Sequence, residues 1–374
     1  MRKRVLQFFG SFNQGGSERQ AASLTRLLHD DGTYEVFAAT LSKDGVLRPD
    51  VESIGLAEIP EYPLTSFFSV GFMRQVRGCA KFLRDHKIDL VHTHDFYTNV
   101  FGMAAARLAG VSACVASKRE TAGMRTRMQD RIEKIAFSQA HSIIVNSQAV
   151  RGVLADRGIS GDKITLIYNG IDVERFNLAS DRVPLEAKYA LPGKGPLVTL
   201  VANLRHDVKN IPMLLRAAKT VLMERPDTQF AIAGEGGLRG ELEGDAVRLG
   251  VAANVHFIGR CDDTPALVAA TDVGVLTSTA EGFSNSILEY MAAGRPVVVT
   301  DVGGAREVVA DGVTGYVVRS DDDQAMAEKI IDLLKGDDRA FEMGTAGQSI
   351  VRQSFSAAAQ LRSTVDLYDR LLNG

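Results

Sequence analysis

Short apolar runs alternate with longer amphipathic segments along most of the chain. In the first half, the runs that predict buried strands cover residues 5–9, 34–40, 89–93, 111–117 and 143–145. Residues 18–29 carry apolar side chains at helical spacing, and similar segments separate the later runs. Strands that alternate with helices predict a parallel sheet covered by helices on both faces.

The alternation stops and restarts near the middle of the chain. Residues 173–195 are richer in polar and helix-breaking residues and are expected to form a connector. Beyond it, strands are predicted over 197–202, 229–233, 254–258, 273–276 and 296–300, and helices over 211–224, 323–334 and 356–372. The predicted fold class is α/β, with two doubly wound, Rossmann-like domains whose strand-end loops face a central cleft.

Length and charge narrow the class of protein. The 374 residues suffice for two domains with sizeable cores. The chain has 43 Lys and Arg against 46 Asp and Glu. Proteins that bind nucleic acid usually carry an excess of basic residues, so this balance argues against a nucleic-acid partner. Cys79, Cys114 and Cys261 are too few and too scattered for a disulfide framework, so a cytoplasmic location is expected. No apolar run approaches the roughly 18–20 residues that span a bilayer.

A glycine pair follows the first predicted strand. Gly15 and Gly16 directly precede the first predicted helix. Adjacent glycines let a backbone approach an anion closely, and a helix N-terminus supplies N–H donors. The segment matches neither a Walker loop nor a dinucleotide-binding fingerprint. A glycine turn in which Ser17 caps the helix is the alternative to an anion site.

Two cations follow the first strand of the second half. Arg205 and Lys209 lie in the loop after residues 197–202. At the carboxyl end of a parallel strand they would face the cleft, where an arginine fork and a lysine point charge suit a diphosphate. A solvated loop is the alternative.

The segment from Glu281 to Glu289 is the most informative one. Ser284, Asn285 and Ser286 are suited to capping the start of a helix within it. The two glutamates are eight residues apart, or about 12 Å if the segment were all helical, which is too far for one carboxylate pair. They are placed to contact opposite ends of an elongated ligand, with phosphate at the helix N-terminus between them. Two surface glutamates are the alternative.

The spacing of the histidine and aspartate residues does not predict a metal site. We expect His92 and His94, at the end of strand 89–93, to point to opposite sides, with His92 packed inside and His94 reaching the cleft. No further His, Asp or Glu cluster lies at ligand spacing around them. The acidic run at residues 321–323 precedes a predicted helix, and we expect it to cap that helix rather than hold a metal.

Residues 62–84 mix apolar and cationic side chains. Such a segment is suited to rest on an anionic membrane, and a core-packing helix with a solvated face is the alternative. Residues 1–180 carry 23 Lys and Arg against 19 Asp and Glu, whereas residues 181–374 carry 20 against 27. A basic first half suits an anionic acceptor or a membrane surface. The side chains of the mixed segment are Leu64, Phe67, Phe68, Phe72, Met73, Arg74, Arg77, Lys81 and Arg84.

Together these segments resemble the retaining glycosyltransferases of the large GT4 family, which have the two-domain GT-B fold. The resemblance covers nearly the whole chain and rests first on the Glu-x7-Glu pattern of residues 281–289. Further segments match in order and in spacing: Tyr-Asn-Gly-Ile-Asp at 168–172, Ala-Gly-Glu-Gly at 233–236, Phe-Ile-Gly-Arg at 257–260 and Gly-Gly-Ala-Arg-Glu at 303–307.

This resemblance implies an organisation and a reaction. Residues 1–180 would form the acceptor-binding domain and 181–355 the donor-binding domain, with the final helix at 356–374 packing back on the first. The enzyme would move a sugar from a nucleotide-sugar, with UDP expected, to a glycan or lipid-linked acceptor. The family retains anomeric configuration and needs no divalent metal or other cofactor.

The resemblance also implies roles for single residues. Glu281 would contact hydroxyls of the donor sugar, Glu289 the ribose, and Lys209 the diphosphate. Gly16 would close over the phosphates, and the backbone near Arg260 would lie by the nucleobase. The rest of the implied donor site is Gly15, Arg205, Gly234, Phe283, Ser284 and Asn285.

The chain departs from the family pattern in two places. The family often has Arg-Leu at residues 203–204, where this chain has Asn-Leu, and Arg205 is expected to supply the charge. Many members carry a histidine after the strand at 111–117, where this chain continues with Ser-Lys-Arg-Glu at 117–120. The acceptor is therefore assigned to His94, Arg119 and Glu120, with His94 also counted as catalytic, and an anionic acceptor is one option.

Two other functions stay open. A nucleotide-sugar 2-epimerase of the same fold would use Glu281, His94 and Glu120 as acid and base groups. A non-catalytic nucleotide-sugar-binding subunit of a glycan assembly complex is the other. The intact set of Glu281, Lys209 and Glu289 favours the transferase.

Overall fold

The chain folds into two compact units. The structure is a computed structural model that describes residues 2–64, 67, 70–121 and 125–373, so Phe68 of the mixed segment lies outside the described residues. One unit comprises Met1–Gly170 with Ala357–Gly374, and the other Ile171–Ser356. The division lies before Ile171 rather than at residue 180, because the Ile171 N–H donates to the carbonyl of Phe355 at 3.0 Å and Ile171 bridges to Ser356.

The first unit is built on a six-stranded parallel sheet in the order β2-β1-β3-β4-β5-β6. Every strand side chain of β3, β4 and β5 is buried, as expected for a parallel sheet covered on both faces. The strands are β1 (Arg4–Phe9), β2 (Glu35–Thr40), β3 (Leu90–Thr93), β4 (Ala113–Lys118), β5 (Ser142–Val145) and β6 (Ile164–Leu166). The helices are α1 (Gly16–Asp31), α2 (Arg48–Glu52), α3 (Val70–Asp85), α4 (Phe96–Ala109), α5 (Arg127–Gln139) and α6 (Gln148–Asp156).

The second unit has a parallel sheet in the order β12-β11-β10-β7-β8-β9. The predicted connector at 173–195 contains a short 3-10 helix (Val173–Phe176) and α7 (Val183–Tyr189). The strands are β7 (Leu197–Val201), β8 (Gln229–Ala233), β9 (Val255–Gly259), β10 (Val273–Leu276), β11 (Val297–Thr300) and β12 (Gly315–Val318). The later helices are α8 (Ile211–Glu224), α9 (Arg239–Leu249), α10 (Thr264–Ala270), α11 (Asn285–Ala292), α12 (Ala305–Val308), α13 (Asp323–Lys335) and α14 (Asp337–Ser354).

The last helix, α15 (Ala357–Asn373), belongs to the first unit. Leu367 and Tyr368 lie in the same buried cluster as Val5 and Leu24. The Tyr34 hydroxyl donates to Asp369 Oδ1 at 2.7 Å. The helix therefore forms part of the core of the first unit.

The part of the mixed segment from Val70 onward lies in α3, which packs on the core as in the alternative interpretation. Val76, Cys79 and Leu83 are buried on one side of the helix. Arg77 and Lys81 are exposed on the other, and the cationic face is therefore solvated. Among the described residues, no helix has both the length and the apolar character needed to cross a membrane.

Candidate functional site

The strand order of the second sheet reverses between β7 and β10, which lie side by side. In an open parallel sheet, a crevice forms outside the carboxyl ends of the strands at such a point. Two hydrogen bonds join the loops that leave these strands. The Thr277 hydroxyl donates to the Lys209 carbonyl at 2.7 Å, and the Thr279 N–H donates to the Val208 carbonyl at 2.8 Å. The two loops therefore form one structural element.

Lys209 and Glu281 meet in this element. Lys209 Nζ lies 2.5 Å from Glu281 Oε1, and the two side chains are only 19% and 14% exposed. The Ser278 hydroxyl donates to the same oxygen at 2.7 Å. Ser278 is fully buried, and the sequence pattern gave no reason to single it out. The carboxylate of Glu281 is thus held from two sides.

Gly303 lies close to the backbone of Glu281. Gly303 has φ +54°, and a Cβ built on it would lie 2.1 Å from the carbonyl oxygen of Glu281. The N–H of Gly304 donates to the carbonyl of Gly282 at 2.9 Å. The Gly-Gly pair at 303–304 therefore fixes the loop that carries Glu281.

Helix α11 begins directly after this loop, as predicted. Ser284 is its N-cap residue, and within the described part of the chain its side chain makes no cap hydrogen bond to the helix. The Ser284 hydroxyl lies 3.0 Å from that of Ser286 instead. Glu289, one turn into the helix, is fully buried. The alternative of two surface glutamates is wrong for both Glu281 and Glu289.

The other predicted donor-site residues of the second unit lie in varied surroundings. Arg205 is exposed, and its backbone N–H donates to Asn203 Oδ1 at 3.4 Å. Arg260 is 42% exposed and pairs with Asp262 at 3.2 Å. Within the described residues, these two arginines therefore make no hydrogen bond or ion pair with the partly buried Lys209–Glu281 pair.

Gly234 and Phe283 have packing roles in this structure. A Cβ on Gly234 would lie 1.8 Å from the carbonyl oxygen of Ala202, so glycine lets the loop after β8 pass the end of β7. The Phe283 ring is buried, with its centroid 5.5 Å from that of Phe355. Both contacts help to hold the loops around the site.

In the first unit, the loops after β1 and β3 meet where the strand order reverses. Helix α1 begins at Gly16, with Gly15 as the N-cap residue in an extended conformation. The alternative in which Ser17 caps this helix is therefore wrong. A Cβ on Gly10 would lie 2.4 Å from Asp95 Oδ2, so the two loops are in close contact.

His92 packs inside, as predicted, but the expectation that the two histidines point to opposite sides is wrong. Residues two apart in a strand share a face, and the rings of His92 and His94 are 4.2 Å apart, both buried. His94 Nε2 lies 2.8 Å from Gln7 Oε1. His92 lies 2.6 Å from the Tyr368 hydroxyl and 2.7 Å from that of Ser117. Both rings belong to an internal network, and His94 does not reach the surface.

Burial decides the charge of these imidazoles. It holds the pKa of His92 well below 6.5, and the nearby charge of Arg119 adds to the effect. Burial does the same to the pKa of His94, with smaller contributions from His92 and Arg119. Both rings are therefore neutral at physiological pH.

Glu120 is held in a cluster of ions. Its carboxylate accepts from Lys118 at 3.1 Å and from Arg125. Burial raises the pKa of Glu120, but Lys118 and Arg125 outweigh that effect and hold the pKa below its ordinary value. Lys118, 3% exposed, also pairs with Glu133 at 2.8 Å. Glu120 is therefore a fixed carboxylate.

The acidic run at 321–323 caps a helix, as predicted. Asp322 is the N-cap residue of α13 and accepts from the N–H of Ala325 at 2.9 Å. Asp321 and Asp323 both pair with Arg216. Across the described ranges, no group of three or more His, Cys, Asp or Glu side chains is placed to hold a metal ion.

Two family models match the chain. A model described as Glycosyltransferase Family 4 matches residues 14–175, and one described as Glycosyl transferases group 1 matches residues 195–336. The first region includes His94 and Glu120, and the second includes Lys209 and Glu281.

Curated relatives match over different shares of the chain. The UDP-Gal:alpha-D-GlcNAc-diphosphoundecaprenol alpha-1,3-galactosyltransferase of Escherichia coli is 25% identical over 80% of this chain and 80% of its own length. The D-inositol 3-phosphate glycosyltransferase of Streptomyces scabiei is 29% identical over 96% of this chain and 87% of its own. The putative glycosyltransferase EpsD of Bacillus subtilis is 30% identical, over only 54% of each chain.

Solved structures share the fold. HepE of Anabaena, in complex with UDP and glucose, has a TM-score of 0.87 at 22% identity and covers 99% of this chain and 100% of its own. Sucrose-phosphate synthase of Thermosynechococcus elongatus has a TM-score of 0.82 at 20% identity over 100% of both chains. At these identities, the likeness concerns the fold alone.

Proposed function

Since this chain belongs to the GT4-type glycosyltransferases and has the two-domain GT-B fold, we propose that it moves a sugar from a UDP-sugar to a glycan or lipid-linked acceptor, with retention and without a divalent metal. The resemblance stated from the sequence is confirmed at the level of family, fold and enzyme class. The partly buried Lys209–Glu281 pair beside the start of α11 is the observation that carries the proposal.

The charges of this site suit a departing diphosphate. As the bond to the sugar breaks, negative charge grows on the diphosphate oxygens, and fixed donors directed at them stabilise the transition state. Lys209 supplies an ammonium with three N–H donors, so it can contact phosphate while it keeps its bond to Glu281. The first N–H groups of α11 supply the positive end of a helix dipole.

Roles for the remaining donor residues follow the family pattern. Glu281, held by Lys209 and Ser278, contacts hydroxyls of the sugar. Glu289 binds the ribose, Gly16 closes over the phosphates, and Arg260 lies by the base. UDP is favoured because HepE was solved with UDP and glucose and the Escherichia coli relative is named for UDP-Gal.

The proposed transfer step balances without a protein nucleophile. The acceptor hydroxyl oxygen bonds to the anomeric carbon on the face that the diphosphate leaves, while the bond from that carbon to the phosphate oxygen breaks. The hydroxyl proton passes to the leaving phosphate oxygen. The sugar is oxocarbenium-like between these events, and exclusion of water limits its hydrolysis.

Two of the three acid and base groups named for the epimerase alternative, His94 and Glu120, give it no support. His94 is 2% exposed and Glu120 is held by Lys118 and Arg125. Neither side chain is free to exchange a proton with a sugar carbon. A UDP-sugar incubated with the protein in deuterated water, without acceptor, should therefore return without deuterium at C2.

Donor binding and transfer test the proposal. A UDP-sugar should raise the melting temperature more than the matching GDP- or ADP-sugar, because a ligand that binds the native state stabilises it by mass action. Product formed with an acceptor extract should keep the anomeric configuration of the donor by NMR, and chelator should leave the rate unchanged. An inverted product, or loss of activity with chelator, would contradict the mechanism.

A peripheral contact with the inner face of the cytoplasmic membrane is the second part of the proposal. The exposed side of α3 carries Arg74, Arg77, Lys81 and Arg84, and Met73 is 45% exposed beside them. Cations beside an apolar side chain suit an anionic bilayer surface. At low salt the protein should sediment with phosphatidylglycerol vesicles and not with phosphatidylcholine vesicles. Equal sedimentation with the two kinds of vesicle would contradict the proposed membrane contact.

A further inference from the structure

Among the described residues, Arg119 is a cation that no carboxylate pairs with. It follows Lys118 at the end of β4, and its Nη1 donates to Asn169 Oδ1 at 2.7 Å. Its Nε is shielded from solvent and makes no hydrogen bond within the described residues. None of the ion pairs found among those residues includes Arg119. In the part of the chain that the structure describes, the Asn169 side-chain amide orients the guanidinium and no carboxylate pairs with it.

The neighbouring carboxylates are already engaged. Glu120 is held by Lys118 and Arg125, and Glu133 pairs with Lys118 at 2.8 Å and with Arg157 at 3.7 Å. These acids therefore balance other cations. Arg119 differs from Lys118 and Arg125 in that respect.

The groups on which the charge of Arg119 acts are neutral. Its charge acts on His92, His94 and Tyr368, and the two imidazoles are uncharged for the reasons given above. Burial lowers the pKa of Arg119 to about 10, so the guanidinium stays charged at neutral pH. A desolvated charge is costly unless an opposite charge joins it. A bound anion would compensate the charge of the Arg119 guanidinium.

We propose that Arg119 binds an oxyanion of the acceptor, so that the acceptor is a phosphorylated sugar or a diphosphate-linked one. This inference rests on the proposed function, because it takes the first unit as the acceptor side. With Nη1 held by Asn169 and Nε shielded from solvent, Nη2 is the nitrogen left to donate a charge-assisted hydrogen bond to a phosphate oxygen. A soluble sugar phosphate and a lipid-linked diphosphate share this chemistry.

A binding experiment tests the anion site without catalysis. In Lys209→Ala, the cation of the donor side is removed, and inorganic pyrophosphate should still raise the melting temperature. Arg119→Gln added to that variant should remove most of the shift. Arg48→Gln, which breaks a surface pair with Glu52 at 2.7 Å, is the matched control and should keep it. A shift that survives Arg119→Gln, or no shift in Lys209→Ala, overturns the proposal.

A transfer experiment tests the acceptor class. Each acceptor sugar is supplied as an octyl glycoside, as a 1-phosphate and as a farnesyl diphosphate. The wild type should prefer a charged form by about tenfold or more in kcat/KM, the effect of one charge-assisted hydrogen bond. Arg119→Gln should remove the preference through the acceptor KM and leave the donor KM unchanged. Equal use of all forms by the wild type, or a change in donor KM alone, overturns the proposal.

The outcomes also separate the sources and the two proposals. Preference for the 1-phosphate indicates a soluble acceptor, and preference for the farnesyl diphosphate indicates a lipid-linked one; both support Arg119 as the anion-binding residue. If the wild type releases no UDP from any UDP-sugar with any acceptor, the proposed function fails. The pyrophosphate experiment still decides the role of Arg119 in that case.

Discussion

Lys209 and Glu281 share a hydrogen bond in which Nζ lies 2.5 Å from Oε1, within the crevice of the second sheet. Both side chains are mostly shielded from water. Removing one partner of such a pair leaves the other desolvated and uncompensated, which is more costly than losing an exposed pair. The two residues are therefore best regarded as one unit in any test of this site.

Lys209→Ala should reduce kcat/KM by about 100-fold or more, because one fixed donor to a developing anion is worth that much. UDP binding by calorimetry should weaken as well. Lys335→Ala is the matched control, since Lys335 pairs with Glu224 at 2.5 Å in the same unit but at the surface, where the two side chains are 55% and 52% exposed. Activity of Lys209→Ala within threefold of Lys335→Ala would contradict the role of Lys209.

Ser278→Ala should lower kcat by about tenfold, the effect expected from one hydrogen bond to a charged group. The affinity for UDP should stay unchanged, because Ser278 acts on Glu281 and not on the nucleotide. Ser278→Thr, which keeps the hydroxyl, should recover part of the rate. Thr271→Val is the control for loss of a buried hydroxyl in this unit, and should cost stability and not kcat. A parallel loss of UDP affinity in Ser278→Ala would show a wider structural effect instead.

Gly303→Ala and Gly312→Ala form a matched pair. Both glycines have positive φ, at +54° and +75°, so each alanine pays about 1–2 kcal/mol for the left-handed conformation. Gly312 has nothing within 4 Å of the new Cβ, whereas at Gly303 it would lie 2.1 Å from the Glu281 carbonyl oxygen. Transfer should therefore be lost in Gly303→Ala and kept in Gly312→Ala. Equal activity of the two variants would show that the loop of Glu281 tolerates displacement.

Stability should fall as the pH drops below about 6.5. The pKa values of His92 and His94 are lowered in the folded state. Below about pH 6.5 the unfolded chain therefore binds protons at these histidines that the folded chain does not bind. Each histidine then costs about 1.4 kcal/mol per pH unit below its unfolded pKa. Urea unfolding at about pH 7.5 and about pH 5.5 measures the loss. His94→Gln should reduce the slope, and exposed His29→Gln should not; an unchanged slope in both would contradict the assignment.

Regular elements were predictable where the burial pattern is strong. Strand β8 and helix α8 match their predicted ranges residue for residue. Strands β6 and β12 were missed because they are short and only partly buried, so the apolar run that marks a strand is weak. Helix α14 was missed as well.

The site was predictable where a motif marks it. Lys209 and Glu281 were found from the loop and the Glu-x7-Glu segment, although they lie 72 residues apart. Ser278 was not found, since its contact depends on a lone hydroxyl in a loop that only the strand order brings beside Lys209. The error at His94 came from strand geometry, because a shared face draws both histidines into the interior.

The Tyr368 hydroxyl accepts a hydrogen bond from Gln7 Nε2 at 3.0 Å, so a residue of α15 completes an internal network begun by β1. During synthesis, the first unit therefore leaves the ribosome without its final helix and waits until the whole second unit has been translated. The second unit is continuous from Ile171 to Ser356 and has no such delay. Domains usually fold in their order of synthesis; here, the unit that is translated second is the one that can finish folding first.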